Sequence, residues 1–206
     1  MRCVWSIPLL LPCKPLTFIL GGFDTWFPDV HDYYWHTMNS LSAFDPRLTL
    51  PSPYIPFPAF TINLGSQVVT EWHVDSMNLA HGLCMDVAFG NFNYREGGHV
   101  ILYEPKLIVE LPAGHPFIFG SGGIIHANVP IAEGETRMSV TGYAAGGHFR
   151  FVDQGFQTLT SSGKHLRYSL CKEEREKLGH QRWVDGWRRF WTLEQLIEAY
   201  NVEIEH

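Results

Sequence analysis

The stretch from residue 59 to residue 143 constrains the fold most, because it is divided into eight short segments typical of β-strands. Each segment is rich in β-branched or aromatic residues, and Gly, Pro or Asn clusters separate it from the next. The segments are Ala59–Leu64, Gln67–Val74, Gly82–Phe89, His99–Tyr103, Leu107–Leu111, His115–Phe119, Ile124–Ile131 and Thr136–Tyr143. Strands separated by turns every ~8–12 residues predict a mainly β domain, either a sandwich or a barrel.

The regions on either side of these strands have helical patterns. Apolar residues recur with a helical period between Asp29 and Leu41, and four prolines between Pro51 and Pro58 mark a non-helical connector. The period is helical again from Ser169 to Tyr200, where Thr192-Leu193-Glu194-Gln195 is typical of a helix start. We therefore expect an N-terminal flanking segment of helix and strand (1–57), a β core (58–156) and a C-terminal helical segment (157–206).

Composition excludes several classes of protein. With 45% hydrophobic and 17% charged residues, the 206-residue chain is not a disordered one. No apolar run approaches the ~18–20 residues that span a bilayer, so we expect no membrane partner. The four cysteines form no C-x-x-C pair, which indicates reduced thiols and an intracellular protein, nuclear or cytoplasmic. Prolines and a lysine break the apolar stretch near the N-terminus, so we expect a strand or a truncated start there rather than a signal peptide.

Three residues form a candidate metal site. In His73-Val74-Asp75 the imidazole and the carboxylate are two residues apart, and residues i and i+2 of a strand share a face. Chance alone could produce such a pair in a chain with 11 histidines. His126, after a glycine-rich turn, offers a third ligand, although a histidine in such a strand, taken alone, is more often a hydrogen-bonded core residue. Two histidines and one carboxylate are the facial triad of non-haem Fe(II) sites.

The last predicted strand suggests a co-substrate. We expect Thr136–Tyr143 to form a hairpin with the strand of His126, with Arg137, Ser139, Thr141 and Tyr143 on one face. A buried arginine needs a carboxylate partner, and the sequence offers no obvious one on that face. 2-Oxoglutarate fits this requirement: its keto-acid end would chelate iron while Arg137 and Ser139 bind its distal carboxylate. The alternative is a surface arginine on an edge strand.

These residues resemble the motifs of the Fe(II)/2-oxoglutarate-dependent dioxygenases. Within that superfamily the chain is most similar to the TET/JBP group, which oxidises the methyl group of 5-methylcytosine or thymine in DNA. The stretch from His73 to Gly82 fits the group's H-x-D-x-x-N-x-x-x-G pattern, and Arg137-Met138-Ser139 with Tyr143 fits R-x-S-x-x-x-Y. The Cys-rich zinc-binding region of the animal enzymes is absent, and Ala145 stands where they tend to carry a base-contacting histidine. The chain thus looks most like the compact fungal members.

The resemblance implies a fold, cofactors and residue roles. The fold would be a double-stranded β-helix, a jelly-roll or cupin-like barrel, with flanking helices at both ends. Fe(II), 2-oxoglutarate and O2 would be required, with His73, Asp75 and His126 as the catalytic metal ligands. Asn78 would contact the target base, and Tyr143 would lie beside the flipped base. His99 would contact 2-oxoglutarate, or it would be a histidine that only packs within its strand.

A basic segment offers a place for DNA. Residues 164–190 contain eight basic and four acidic residues, a local charge of +4, whereas the rest of the chain carries −10. Trp183, Trp187 and Trp191 lie among or next to these charges, so the segment is either a phosphate-contacting flank or an amphipathic helix whose charges are solvated.

Three functions remain open from the sequence. The first is a dioxygenase that hydroxylates a methylated base of the 5-methylcytosine type in DNA. The second is a dioxygenase acting on a small metabolite or a protein side chain, and the third is an inactive barrel that serves as a binding module. We expect a monomer in each case.

Overall fold

The computed structural model of the protein describes residues 22–51, 55–157 and 171–201. The expected N-terminal strand or truncated start lies outside the described residues. Residues 22–26 form a short helix, α1. It is followed by α2 (Pro28–Phe44), β1 (Ala59–Asn63), β2 (Cys84–Phe89), β3 (Val100–Leu102), β4 (Leu107–Val109), β5 (Pro116–Phe119), β6 (His126–Asn128), β7 (Met138–Tyr143), α3 (Gly146–Asp153), α4 (Lys172–Trp187) and α5 (Leu193–Tyr200).

The strands form two antiparallel sheets. One has the order β1-β7-β2-β5 and the other has the order β4-β3-β6. A mainly β fold with flanking helices is therefore confirmed. The described strands do not close into a barrel, so the double-stranded β-helix and the three-part division of the chain stay predictions.

The expected hairpin between the strands of His126 and Arg137 is wrong. β6 pairs with β3, whereas β7 pairs with β1 and β2 in the other sheet. The connection between them is hydrogen-bonded to the 91–93 segment that follows β2: Thr136 N–H donates to the Asn91 carbonyl, and Asn93 N–H donates to the Glu135 carboxylate. The chain consequently crosses from one sheet to the other before β7 begins.

The predicted strand Gln67–Val74 is also absent as a continuous strand. The segment makes isolated bridges instead, Gln67 with Arg137 and His73 with His126. Its middle is held by one side chain, since Asn128 Oδ1 accepts a hydrogen bond from Thr70 N–H at 2.6 Å and Asn128 Nδ2 donates to the Val68 carbonyl at 3.1 Å. The segment thus spans the gap between the sheets, which brings His73 opposite His126.

Helix α2 packs against the larger sheet. Its buried residues recur every three or four positions, in agreement with the predicted helical period, and they are Val30, Tyr34, Thr37, Met38 and Leu41. The hydroxyl of Tyr34 donates to the Leu83 carbonyl at 2.8 Å and accepts from Leu83 N–H at 3.0 Å. This pair of hydrogen bonds fixes the start of β2 against the helix.

The C-terminal helices begin with reciprocal caps. As predicted, Thr192 and Gln195 form a capping box at the start of α5, with Gln195 N–H donating to Thr192 Oγ1 at 3.3 Å. Trp191 Nε1 donates to Asp29 at 2.8 Å, which ties this region to α2. Among the described helices, none is long and apolar enough to cross a membrane.

Candidate metal centre and carboxylate pocket

A cavity of about 350 Å³ contains seven of the eight predicted site residues. Those seven are His73, Asp75, Asn78, His126, Arg137, Ser139 and Tyr143. Both sheets contribute to its wall, β6 from one and β1, β2 and β7 from the other, and the 67–78 segment completes it. The two motifs that the sequence places 62 residues apart, at Asp75 and Arg137, thus share one cavity.

His73, Asp75 and His126 form a group that can bind a metal ion. One ligand atom from each lies within 4.8 Å of the others, and His73 Nε2 is 3.7 Å from Asp75 Oδ1. The backbone explains this approach: His73 N–H donates to the His126 carbonyl at 3.0 Å, and His126 N–H donates to the His73 carbonyl at 2.9 Å. Residues paired in this way project their side chains from the same face of the ladder.

Both histidines are held in the tautomer that a metal requires. Nδ1 of His73 lies 2.8 Å from the Glu71 carbonyl, and Nδ1 of His126 lies 2.9 Å from the Ile124 carbonyl. A carbonyl oxygen only accepts, so each Nδ1 carries the proton and each Nε2 lone pair is free for coordination. The ring of His126 is further held edge-on by Phe119, with ring centroids 5.0 Å apart.

Asn78 orients the carboxylate of the group. Asn78 Nδ2 donates to Asp75 Oδ2 and to Ser121 Oγ, both at 3.2 Å. Asp75 Oδ1, the oxygen that faces His73, is left for a metal. Asn78 is itself placed by a bridge to Ala145, directly after β7. Ser121, which belongs to no motif found in the sequence, is fully buried behind this pair at 1% exposure.

Arg137 is buried in the cavity wall with most of its donors unused. It is 2% exposed, its Nε has no hydrogen-bond partner, and Nη1 donates to the Val68 carbonyl at 3.4 Å. Burial lowers the pKa of the guanidinium. A group with five donors in this state has room to bind a ligand carboxylate.

The expectation that no protein carboxylate shares the face of Arg137 is wrong. Asp86 on β2 lies opposite Thr141, and its Oδ2 is 3.8 Å from Arg137 Nη2, a distance too long for a hydrogen bond. Burial raises the pKa of Asp86, and the nearby Arg137 opposes that rise. A charged residue inside the apolar strand Cys84-Met85-Asp86-Val87-Ala88 was the signal that could have found it.

Ser139 and Tyr143 continue the face of Arg137. Asn63 Nδ2 donates to Ser139 Oγ at 3.0 Å, so the serine hydroxyl keeps its own proton for a ligand in the cavity. Thr61 Oγ1 contacts the Tyr143 hydroxyl at 3.4 Å. Both partners lie on β1, which the sequence did not associate with the site.

His99 is not brought together with the other predicted residues. It precedes β3, and the adjacent Val100 lines the cavity instead. Successive side chains of a strand point to opposite faces, so a one-residue difference in register directs His99 away from the cavity. The role in 2-oxoglutarate binding that the resemblance implied for His99 stays a prediction.

A buried thiol completes the polar wall. Cys84 lines the cavity at 1% exposure, and burial raises the pKa of its thiol to about 12. In the metal-free protein the thiol is therefore uncharged at neutral pH. Of the described cysteines, both Cys84 and Cys171 are free.

Comparisons with known proteins give a distant structural likeness. No protein-family model matches the chain, and no curated protein matches it. Among solved structures it is similar to NgTET1 in complex with 5mC DNA, at 18% sequence identity and a TM-score of 0.41. The match covers 63% of this chain and 53% of that chain, so it spans about half the length of the solved protein.

Proposed function

We propose that the protein is an Fe(II)- and 2-oxoglutarate-dependent dioxygenase that hydroxylates the methyl group of a methylated base, 5-methylcytosine in DNA. The observation that carries the proposal is one cavity that holds a two-histidine, one-carboxylate group together with a buried arginine whose Nε lacks a partner. The two-histidine, one-carboxylate group fits an iron with open coordination positions. The buried arginine, Arg137, fits the distal carboxylate of the co-substrate.

His73, Asp75 and His126 would hold the metal, and the remaining groups would orient what binds beside it. When bound, the iron would supply the oxidising chemistry that couples conversion of 2-oxoglutarate to succinate and CO2 with hydroxylation of a C–H bond by O2. The protein fixes the tautomers of both histidines and turns one oxygen of Asp75 inward. Arg137 and Ser139 donate to the co-substrate carboxylate and so set its position in the cavity.

The side-chain oxygen of Asn78 suggests how a cytosine would be chosen. Asp75 accepts hydrogen bonds only, so the atom of Asn78 that contacts it is the amide nitrogen. Asn78 Oδ1, which has no hydrogen-bond partner among the described residues, is left to accept a hydrogen bond from the substrate. The 4-amino group of 5-methylcytosine is a donor, whereas thymine presents an acceptor at that position.

The cavity size agrees with a base as substrate. At about 350 Å³ the cavity lies at the lower end of the range for sites that enclose small ligands. A base in a duplex would have to be flipped out of the stack to enter it, at a cost of roughly a few kcal/mol. Tyr143, which lines the same cavity, would form a wall beside the flipped ring.

Two measurements test the proposal in order. Anaerobic addition of Fe(II) and then 2-oxoglutarate should give a metal-to-ligand absorption band in the wild type and no band in Asp75→Ala, with Asp45→Asn as a control carboxylate outside the cavity. Incubation with oxygen and duplex DNA containing 5-methylcytosine should then give a hydroxylated base by mass spectrometry. A wild type without the band would overturn the cofactor assignment. A band with succinate formation but unchanged DNA would leave a small metabolite or a protein side chain as the substrate.

A further inference from the structure

A second cavity lies on the other side of the loop that carries Asn78. Its volume is about 340 Å³, and it is walled by α2, residues 79–81, α3 and α4; we call it the α3–α4 pocket. The residues that line it include Tyr33, His81, Arg150, Asp153, Arg182 and Arg189. Asn78 faces the metal cavity and the next residues, Leu79 to His81, line the second one. The two cavities therefore share one loop as their common wall.

The pocket contains more positive charge than its acids balance. Three arginines line it against two carboxylates, Asp153 and Asp185. Both carboxylates already have donors, because Asp153 accepts from the Tyr33 hydroxyl at 3.1 Å and Asp185 accepts from Gln181 at 2.9 Å. The guanidinium groups of Arg150 and Arg182 make no hydrogen bond or ion pair with a described residue, and both side chains are exposed. Two guanidinium groups from different helices are thus free to bind an anion.

The remaining arginine is fixed in place and shapes the pocket. Arg189 lies over the ring of Tyr33, with its guanidinium carbon 4.1 Å from the ring centroid. Its Nη1 donates to the Asp185 carbonyl at 2.7 Å. No carboxylate of a described residue forms an ion pair with this guanidinium, so Arg189 adds to the positive potential of the pocket.

His81 adds a buried nitrogen without a partner. Its Nε2 is inaccessible to solvent and makes no hydrogen bond. The ring stacks on Tyr33 with centroids 6.3 Å apart, and Gly186 of α4 approaches it so closely that a side chain there would collide with the ring. A buried nitrogen without a partner is available to form a hydrogen bond with a ligand group.

We propose that the α3–α4 pocket binds a backbone phosphate of the nucleic acid strand whose modified base enters the metal cavity. The inference rests on the proposed function for the choice of a nucleic acid. Arg150 and Arg182 would donate to the phosphate oxygens, and His81 in its Nε2–H tautomer would donate a third hydrogen bond. Because the shared loop joins the two cavities, such a contact would set the position of the strand relative to the metal.

The test measures binding in the absence of iron, so it does not depend on turnover. A fluorescent duplex containing one 5-methylcytosine is titrated with metal-free protein at several NaCl concentrations, and anisotropy gives the Kd. Arg182→Gln should weaken binding roughly tenfold, as expected for one lost charge-assisted contact. The slope of log K against log [NaCl] should become less steep by about 0.9, the contribution of one phosphate. Arg150→Gln should behave in the same way.

Arg95→Gln is the matched control, because Arg95 is an exposed arginine over a tyrosine ring that does not line the pocket. It should leave both the Kd and the slope unchanged. Equal Kd values and slopes for wild type, Arg150→Gln and Arg182→Gln would overturn the proposal. Thermal melting of each variant, expected to match the wild type, shows that these exposed positions do not act through folding.

Sodium phosphate at constant ionic strength distinguishes a nucleic acid from a free phosphate compound. If millimolar phosphate binds and Arg182→Gln abolishes that binding while duplex affinity is unaffected, the pocket serves a small phosphorylated ligand and the proposal is wrong. Loss of the iron–oxoglutarate band with normal duplex binding would overturn the dioxygenase assignment alone. A wild type that forms the band but binds no duplex would overturn this inference.

Discussion

Asp86→Asn should make the protein bind 2-oxoglutarate more tightly. The substitution removes one negative charge and keeps the side-chain oxygen that accepts a hydrogen bond from Thr141 Oγ1 at 3.1 Å. Asp86 is 3.8 Å from the guanidinium of Arg137, the group that would bind the co-substrate carboxylate. In the wild type, the carboxylate of the proposed co-substrate would therefore meet a second carboxylate at the same arginine.

The separation sets an upper limit on the gain. Two like charges ~4 Å apart repel by about 4 kcal/mol at an effective dielectric constant of about 20. Water and proton uptake by Asp86 reduce that value, so we expect an affinity gain of about tenfold, which corresponds to about 1.4 kcal/mol. Proton uptake also makes wild-type affinity fall as pH rises, because the bound carboxylate favours the neutral form of Asp86.

Anaerobic titration of the Fe(II)-saturated protein with 2-oxoglutarate at pH 6, 7 and 8 measures both effects. The histidines and Asp75 are the same in the two proteins, so the difference in pH dependence isolates Asp86. Asp45→Asn is the control, since Asp45 pairs with the exposed Arg47 outside the cavity wall and should change nothing. An Asp86→Asn variant with equal or weaker affinity and wild-type pH dependence would refute the reasoning.

Three further outcomes follow from the same contacts. Asn78→Ala should lower metal affinity by roughly 10–100-fold, because Asp75 Oδ2 would lose its hydrogen-bond donor. Competition with a chelating dye measures this affinity, and Asn39→Ala on the exposed face of α2 is the control that should have no effect. Tyr34→Phe should leave Leu83 N–H and C=O unpaired, which should lower the free energy of unfolding by about 1–3 kcal/mol. Thermal melting should show a fall of several degrees in Tm, whereas Tyr103→Phe, at an exposed position, should match the wild type. The stability of the metal-free wild type should fall relative to Asp86→Asn as pH rises from 4 to 7. Because the pKa of Asp86 is raised in the folded protein, its carboxyl group is protonated at low pH and loses that proton as the pH rises through that pKa, which destabilises the folded state. Urea unfolding at each pH measures the free energy of unfolding of both proteins. A difference between the two proteins that stays constant with pH would contradict the prediction.

Local pattern was sufficient to predict most strands and a group of residues, His73, Asp75 and His126, that could bind a metal. Seven of the eight predicted strand segments contain a strand, and α2 and the capped start of α5 also match. The faces of β7 follow period 2, so Arg137, Ser139, Thr141 and Tyr143 all reach the cavity as expected. These features depend on residues close together in the chain, where alternation and capping act.

The pairing between strands that are far apart in the chain could not be predicted from the sequence. The partner of β7 depends on how the 91–93 turn holds the preceding loop, and no local pattern records that contact. The same limit hid Asp86, whose proximity to Arg137 follows from the β2–β7 register, and Asn63, which reaches Ser139 from β1. His99 does not line the cavity, whereas the next residue, Val100, does, and successive side chains of a strand point to opposite faces.

The mutual hydrogen bonds of His73 and His126 have a kinetic consequence. The two residues are each other's backbone partners, so a single opening event that breaks this bridge separates two of the three metal ligands at once. If the group holds a metal as proposed, we expect the metal to escape at a rate set by how often that bridge opens. Amide hydrogen exchange at the two positions would report the same event, and both amides should exchange at a common, slower rate once metal is bound.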